Sequence, residues 1–252
     1  MLSIETAAAD DFRDELLPAG CLRLGIVAAP APSALFAIFD TGSQTYRGVT
    51  VDIGEALAMQ LGVDLEIVNF PNSGACTEAL EAGAIDVSFM PVDAERQKRV
   101  AFGPAYYILE STYLVTGASG IATLADVDRE GVRVVGIANT TTIRSSTRTL
   151  TRTAPEAAET IAEAVSRLVE GRAEALALSR DAFRTLLPQL PGARVLDGGF
   201  QQTGIAIAVG KGRPAALAFV SDFLEEAKIN GLVRGAMDAA GFGDEPVAPA
   251  AR

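Results

Sequence analysis

The chain has 252 residues, with 21 Lys and Arg against 32 Asp and Glu, which gives a net charge of −11 at pH 7. A protein that binds nucleic acid needs a basic face to neutralise phosphates, so this acidic balance argues against such a partner. The chain contains no histidine, which excludes Ser-His and Cys-His nucleophilic sites and every histidine-ligated metal site.

Cysteine usage and hydropathy limit the class further. Cys21 and Cys76 show no CxxC spacing, and two cysteines do not make a disulfide framework, so we expect two free thiols. No apolar run approaches the ~20 residues of a membrane span. The acidic, interrupted N-terminus lacks the basic start and apolar core of a secretory signal. Either a signal was removed or the protein works in the cytoplasm.

Apolar spacing and turn residues predict a regular alternation of strands and helices. Residues 1–20 are predicted to form a tail or short helix, and AAPAPS at 28–33 a loop stiffened by proline. Residues 36–47 are predicted to form a loop or short hairpin, and residues 243–252 to be disordered. The predicted strands are 22–27, 65–69, 85–90, 108–115, 132–137, 173–178, 195–196 and 203–209. The predicted helices are 51–61, one capped by Ser73 or Thr77 and ending at Ala82, one opened by residues 139–142 and running through Leu150, 155–170, 180–190, 214–230 and 232–240.

The segment from Gly83 to Tyr107 carries the clearest local signal. A buried strand ends near Pro91, and Asp93 is placed to cap a short helix that contains Arg96. A turn is predicted at 102–104. An arginine just beyond a strand lies at the carboxyl edge of a sheet, where ligands of open α/β sheets bind. The alternative is an ordinary strand–turn–helix with a solvated arginine.

Alternating strands and helices predict the α/β class with mostly parallel sheets. Two halves suggest themselves, one before about Thr112 and another from Tyr113 to about Gln202. The long strands near 108–115 and 203–209 are the candidate crossings between these halves.

Several segments, in this order, resemble the family 3 extracellular solute-binding proteins, the amino-acid-binding receptors of ABC importers. They are LRLGIV at 22–27, residues 47–62, ALEAGAID at 79–86, Glu95-Arg96 before VAFGPAY at 100–106, residues 131–137 before the threonine run, 168–172, and IAIAVGKG at 205–212. The resemblance implies a two-lobed, type II periplasmic-binding-protein-like α/β fold with two crossing strands. Lobe I would comprise 1–112 and 203–252, and lobe II 113–202. The ligand would lie in the cleft and be enclosed by hinge closure, as in periplasmic binding proteins generally.

The resemblance also assigns candidate ligand-binding residues. Arg96 occupies the position that grips the ligand's α-carboxylate, for which its planar fork is suited. The start of the helix after Ala138 would supply amides and hydroxyls to the same carboxylate; helix capping alone is the alternative for its threonines. The full set of candidates is Ser73, Ser88, Phe89, Met90, Arg96, Asn139, Thr140, Thr141, Thr142 and Ser179.

Five features depart from the family's pattern. Pro91 lacks the backbone N–H usually offered to the carboxylate, and Asp93 replaces the usual threonine. The loop at 28–33 lacks an aromatic, and Ser73 lies near another usual aromatic position. Ser179 stands where an acidic residue would pair with the α-ammonium, and a buried ammonium without such a partner is costly. We therefore expect a carboxylate without a free α-amino group, bulkier than a typical amino acid.

The resemblance implies capture of a small carboxylate for an ABC importer by a monomeric, non-catalytic protein that needs no cofactor or metal. It also implies contact with the transporter's membrane subunits, no nucleic acid, no direct membrane insertion and a periplasmic location, although the chain shows no signal peptide. One alternative is a cytoplasmic ligand-sensing module. Another is a dehydratase-type enzyme on the same fold, for which Glu110, Asp181 and Cys76 are the acid–base candidates.

Overall fold

The computed structural model describes residues 12–28 and 33–250. Its strands are β1 (Leu22–Ile26), β2 (Ile38–Asp40), β3 (Thr45–Arg47), β4 (Leu65–Asn69), β5 (Val87–Pro91), β6 (Val100–Val115), β7 (Val134–Ile137), β8 (Pro155–Ala158), β9 (Ala175–Ser179), β10 (Arg194–Val195) and β11 (Gln201–Gly210). Its helices are α1 (Val49–Leu61), α2 (Ser73–Glu81), α3 (Ala94–Gln97), α4 (Leu124–Val127), α5 (Thr141–Thr149), α6 (Ile161–Val169), α7 (Arg180–Leu186), α8 (Pro214–Ile229) and α9 (Leu232–Ala239). Residues 12–16 are also helical. The predicted hairpin at 36–47 is confirmed by the pairing of β2 with β3.

The chain divides into two compact units. Unit 1 is formed from Met1–Ile108 and Gly204–Arg252, as far as these are described, and unit 2 from Leu109–Thr203. The chain therefore leaves unit 1 within β6 and returns to it within β11. The lobe limits expected from the sequence stay a prediction, because lobes are defined by how they move and compact units by how they pack.

Unit 1 is built on four strands in the order β4-β1-β5-β11. β1 runs parallel to both β4 and β5, while β11 runs antiparallel to β5, with Ile205 opposite Pro91. The carboxyl ends of β4 and β5 consequently lie at one edge of the sheet, and α2 and α3 begin there. Below this edge, Cys76, Leu80, Met90 and Val100 pack in a buried apolar cluster.

A buried ion pair fixes the strands of unit 1. Asp86 is fully buried and accepts hydrogen bonds from the Nε and Nη2 atoms of Arg23 at 2.9 and 2.6 Å, and from the backbone N–H of Arg23 at 2.9 Å. Arg213, directly before α8, lies 3.7 Å from the same carboxylate. A buried charge needs such partners, so this carboxylate holds β1, the start of β5 and the start of α8 together.

Unit 2 is built on the strand order β6-β9-β7-β8, with β10 also paired to β6. β7 runs parallel to β8 and β9, and β6 runs antiparallel to β9, with Ser111 opposite Ser179. Neighbouring parallel strands β7 and β9 thus end at the same edge, where α5 and α7 begin. The core under this sheet includes Tyr113, Val134 and Ala177.

Two local predictions are wrong. The single helix predicted over 155–170 is instead β8, followed by α6, which Thr160 caps by accepting the N–H of Glu163 at 3.1 Å. Pro155 opens an edge strand, the place in a sheet that tolerates proline. The turn predicted at 102–104 lies inside β6, whose pairing with β9 and β10 involves only residues 111–115.

The predicted disorder of the C-terminal tail is also wrong for its described part. We define residues 242–250 as the C-terminal strap. Ala248 donates its N–H to the carbonyl of Tyr106 at 2.9 Å, and Arg234 donates to the carbonyls of Glu245 and Phe242 at 2.6 and 2.7 Å. Lys228 donates to the carbonyl of Pro249 at 3.1 Å. Since each contact uses backbone carbonyls or amides, the strap's sequence gives little sign of its order.

Within the described ranges, no helix combines the length and the apolar character needed to cross a bilayer.

Candidate functional site

Arg96 is held rigidly at the carboxyl edge of the unit 1 sheet. Its side chain is buried, with 5% of the residue exposed, and its Nη1 donates to the carbonyl of Pro91 at 2.9 Å. Its Nη2 donates to the hydroxyl of Ser73 at 2.5 Å, and its Nε lies 3.8 Å from a carboxylate oxygen of Asp93. These three partners from one edge thus fix the plane of a buried guanidinium.

Asp93 positions this arginine through the backbone as well. As predicted, it is the N-cap of α3, and its Oδ1 accepts the N–H of Glu95 at 2.9 Å and of Arg96 at 3.0 Å. Such a cap satisfies donors that the first helical turn leaves without intrahelical partners. The same side chain therefore caps the start of α3 and lies close to the cation of Arg96.

Ser73 contacts Arg96 instead of capping α2. The prediction that Ser73 or Thr77 caps this helix is wrong, because Asn72 does so, accepting the N–H of Ala75 at 2.9 Å. Ser73 is the first helical residue, and its hydroxyl accepts from Arg96. Thr77 donates to the carbonyl of Ser73 at 2.8 Å. The candidate residue Ser73 is thereby brought beside Arg96.

Ser88, Phe89 and Met90 lie in the core of unit 1. Ser88 is buried and donates to the carbonyl of Gly25 at 2.8 Å. The ring of Phe89 meets that of Tyr106 edge-to-face, with 5.7 Å between centroids. Met90 is fully buried, with its sulfur 3.4 Å from the hydroxyl of Thr77. These contacts give the three side chains a structural role; their contact with a ligand stays a prediction.

In unit 2, three consecutive threonines open α5 at the carboxyl end of β7. Thr140 is the N-cap, accepting the N–H of Ile143 at 3.2 Å and donating to the carbonyl of Ile137 at 2.8 Å. Thr141 and Thr142 are buried, and the hydroxyl of Thr142 lies 3.4 Å from that of Ser111. Capping therefore accounts for Thr140 alone among the three.

The start of α5 packs closely against β7. A Cβ on Gly136 would come within 2.8 Å of Ile143, so only glycine lets the helix approach β7 this closely. Asn139 makes the connecting turn with φ of 62°, a left-handed conformation that asparagine tolerates better than most residues. Because the first N–H groups of a helix lack intrahelical acceptors and carry its positive end, this edge favours an anion.

The end of β9, on the same edge of unit 2, presents Ser179 and then two charged residues. Ser179 is buried at the N-cap position of α7, and its side chain makes no capping bond. Arg180 donates to Glu110 at 2.6 Å and to the carbonyls of Leu196 and Gly198 at 3.2 and 2.7 Å. Asp181 is only 5% exposed, and its Oδ1 has no donor among the residues that the structure describes.

The three acid–base candidates differ in their surroundings. Glu110 forms the ion pair with Arg180. Burial raises the pKa of the Cys76 thiol to about 11, so the thiol stays protonated and is a poor nucleophile at neutral pH. Asp181 alone keeps an acceptor without a partner in the described ranges.

Other features of the described ranges add nothing to this candidate site. Cys21 and Cys76 are free thiols, as predicted. Residues 12–28 and 33–250 hold no group of three or more acidic or cysteine side chains that could bind a metal ion. A surface cavity of about 180 Å³ lies between α1, α8 and α9 and contains none of the candidate residues. Residues 29–32 of the AAPAPS loop, where the expected aromatic is missing, lie outside the described ranges.

Comparison with known proteins identifies the fold and the family. A profile of the bacterial extracellular solute-binding proteins, family 3, matches residues 26–238. The chain belongs to this family. The α/β, type II periplasmic-binding-protein fold expected from the sequence is thereby confirmed. A comparison with curated proteins found no match.

Solved structures of amino-acid-binding proteins match nearly the whole chain. An ancestral amino-acid-binding protein, described as a precursor of cyclohexadienyl dehydratase, is 27% identical with a TM-score of 0.75, over 90% of this chain and 97% of that one. A mutant of ArgBP from T. maritima is 26% identical with a TM-score of 0.74, over 91% and 99%. The substrate-binding protein of an amino acid ABC transporter is 25% identical with a TM-score of 0.74, over 87% and 98%. Ligand binding for transport is the function that the family and these neighbours support.

From the sequence, Asp181 was predicted only as an acid–base candidate, and Ser179 was the residue compared with the family's acidic position. The expected absence of a carboxylate for an ammonium stays a prediction. In the structure, a buried carboxylate, that of Asp181, lies two residues after Ser179 in the first turn of α7. The sequence signal for this buried carboxylate is an acidic residue in the first turn of a helix that directly follows a buried strand.

Proposed function

We propose that this chain is the receptor of an ABC importer and captures a small carboxylate-bearing ligand by hinge closure between its two units. The observation that supports the proposal most is the buried, immobilised guanidinium of Arg96 at the carboxyl edge of unit 1. A planar fork in a desolvated place is suited to a carboxylate, and charge-assisted hydrogen bonds are stronger than neutral ones.

The start of α5 supplies the second half of the proposed site. Thr141 and Thr142 combine buried hydroxyls with the positive end of a helix, and both features favour an anion. If the two units bind the same carboxylate, the ligand stabilises the closed arrangement more than the open one. Such differential binding is what a ligand-driven conformational change requires.

Titration calorimetry with a panel of small carboxylates and their uncharged amides tests this proposal. We expect a carboxylate to bind with Kd on the order of 1 μM, about −8 kcal/mol, and its amide to bind much more weakly. Arg96→Gln should weaken carboxylate binding by ~10- to 100-fold for each charge-assisted bond lost. Arg99→Gln removes a charge from an exposed pair with Glu81 in the same unit and should leave the affinity unchanged.

Equal binding by Arg96→Gln and the unaltered chain, with both folded by thermal melting, would contradict the role of Arg96. Thr141→Val tests the other half, because it removes a hydroxyl while nearly keeping the shape. It should weaken binding, whereas Thr147→Val, on the exposed side of α5, should not.

A dehydratase-type enzyme is the second candidate, favoured by the ancestral neighbour described as a precursor of cyclohexadienyl dehydratase. Of the acid–base candidates, Asp181 is the one whose Oδ1 lacks a donor in the described ranges. Turnover of a cyclic hydroxy-acid that disappears in Asp181→Asn would favour this function. Binding without product formation would favour the receptor.

A further inference from the structure

We infer that the cavity between α1, α8 and α9 docks a segment of a partner protein, one that presents a large apolar side chain flanked by Lys or Arg. This inference goes beyond the proposed function, because the cavity contains none of the candidate ligand-binding residues. We call the cavity and its rim the α1–α8–α9 groove. Its lining includes Ala56, Met59, Phe223, Glu226, Ala227 and Leu232.

The α1–α8–α9 groove has room for one large side chain against an apolar base. Its volume is about 180 Å³, and a cavity of roughly 150 Å³ is large enough to hold benzene. Phe223 and Ala227 are buried, and Ala56 and Leu232 are half-buried. An aliphatic or aromatic side chain of a partner would therefore displace water from apolar surface, which favours binding.

Exposed apolar side chains mark the same place. Met59, which lines the groove, is 79% exposed, and Ile229, directly before the lining residue Asn230, is 77% exposed. Among the described residues, the other exposed large hydrophobic side chains are those of Phe39 and Val169. Hydrophobic residues that are exposed singly need no explanation. Two of them beside an apolar cavity indicate a contact surface, and the flexible side chain of methionine is common on adaptable binding surfaces.

The rim of the groove is acidic. Glu226 is one of its lining residues, Asp222 lies one helical turn before it in α8, and Glu55 directly precedes Ala56 in α1. The three acidic side chains are exposed, and none of them has an ion-pair partner in the part of the chain that the structure describes. The groove therefore presents negative charge that no neighbouring cation neutralises.

The basic residues of the three helices are engaged elsewhere. Lys228 of α8 pairs with Glu225, and Arg234 of α9 pairs with Asp238, each at 2.8 Å. Helix α1 contains neither Lys nor Arg. Since complementary potentials steer association and select partners, this groove favours an apolar side chain with cations on either side of it.

Charge also decides between possible occupants. A second copy of the chain carries a net charge of −11 and would bring further negative charge to an acidic rim. Residues 1–11 contain three acidic residues and no basic one, so this segment suits the groove no better. A basic, apolar segment of a different protein is the occupant that the charge distribution favours.

Peptide selection on the full chain tests the inference. The probe is a random peptide library displayed on phage, and the counter-selection target is Ala56→Leu, which fills the groove. We expect the enriched peptides to combine a large apolar residue with Lys or Arg on either side. Synthetic copies should bind Ala56→Leu about tenfold more weakly than the unaltered chain, as measured by fluorescence anisotropy.

A charge reversal on the rim gives a second test at an exposed position. Glu226→Lys should weaken peptide binding about tenfold at low salt, and by less at high salt, because salt screens the attraction. Glu130→Lys makes the same change at an exposed site of unit 2 and should leave the affinity unchanged. Thermal melting checks that each variant is folded. Carboxylate binding by Ala56→Leu and Glu226→Lys should equal that of the unaltered chain, which separates the groove from the proposed ligand site.

Three outcomes would overturn the inference. The first is that no peptide is enriched, or that the enriched peptides bind folded Ala56→Leu and Glu226→Lys as tightly as the unaltered chain. The second is enrichment of acidic peptides. The third is a concentration-dependent dimer in analytical ultracentrifugation that Ala56→Leu abolishes, which would assign the groove to a second copy of the chain.

Discussion

Individual side chains in this protein owe their charge state to their immediate surroundings. Cys76 lies in the apolar cluster of unit 1, 3.8 Å from the carbonyl of Ile26, and burial raises the pKa of its thiol to about 11. Asp128 in unit 2 shows the opposite effect. Hydrogen bonds from Thr151 and Arg152 lower the pKa of its carboxyl to about 2.

Thiol labelling checks the state of Cys76. Because the folded protein keeps this thiol protonated and buried, an alkylating reagent at pH 7.5 should modify only the partly exposed Cys21. One equivalent should react in the native state and two after unfolding in urea. Cys21→Ser should show no native labelling. Rapid alkylation of Cys76 in the folded protein would contradict its burial and would make Cys76 a candidate nucleophile again.

Asp128→Ala should lower the melting temperature at pH 6, because the carboxylate holds the loop at 151–153 through several hydrogen bonds. The folded-state pKa of about 2 lies below the ordinary value of 3.8. The stabilisation is therefore complete above pH ~4 and is lost as the pH falls towards 2. Melting curves of both proteins should converge across that window. A difference in melting temperature that stays constant from pH 6 to 2 would contradict this assignment.

At the scale of elements, the C-terminal strap is held chiefly by side chains of α8 and α9. Arg234 in α9 contributes two hydrogen bonds to backbone carbonyls. The strap in turn pairs with Tyr106, two residues before the chain leaves unit 1. The strap thus stabilises β6 close to Leu109, where unit 2 begins.

Arg234→Ala should reduce the free energy of unfolding by about 1–2 kcal/mol, since two partly buried, charge-assisted bonds are lost. It should also speed hydrogen exchange of the Ala248 amide. Urea denaturation and exchange mass spectrometry measure these effects. Lys211→Ala, at an exposed position before α8, should change neither quantity. Unchanged exchange at Ala248 would show that Arg234 does not hold the strap.

Sequence periodicity predicted most of these elements, and its errors have physical causes. Asparagine and serine are both good N-cap residues, so the sequence alone does not decide between Asn72 and Ser73. In the structure the hydroxyl of Ser73 accepts a hydrogen bond from Arg96, and Asn72 caps α2. β8 became a strand because it pairs with β7 along an edge, a tertiary effect that outweighs local helix propensity.

The candidate site was predictable in part. Arg96, Asp93 and Thr140 follow from capping and strand-end patterns, and the structure places each where those patterns indicate. The ion pair of Glu110 depends on a contact between distant segments, because its partner is Arg180. A single sequence does not reveal such a pairing.

On the scale of the whole molecule, unit 2 is an uninterrupted segment inserted into unit 1. Two strands, β6 and β11, carry the chain between the units. Few chain crossings permit a hinge, because only a small number of backbone angles must change. Motion of the units on ligand binding is the whole-molecule consequence of the proposed function.

Fluorescence energy transfer tests this motion. Met59 and Val169 are 79% and 68% exposed and lie in different units, so Met59→Cys and Val169→Cys in a Cys21→Ser background give one label in each. Saturation with the tightest carboxylate should change the transfer efficiency and narrow its distribution. Addition of Arg96→Gln should prevent the change at the same concentration. Full occupancy without any change in efficiency would exclude hinge closure.

The discontinuity of unit 1 has a consequence for biosynthesis. The pairing of β5 with β11 joins residues more than 100 positions apart, so a nascent chain cannot complete that pair until β11 has left the ribosome. Unit 2 ends at Thr203, so its strands are synthesised before α8 and α9, the last helices of unit 1. We therefore expect unit 2 to become ordered first during synthesis. Unit 1 stays incomplete, with β1, β4 and β5 accessible to chaperones, until its last helices emerge from the ribosome.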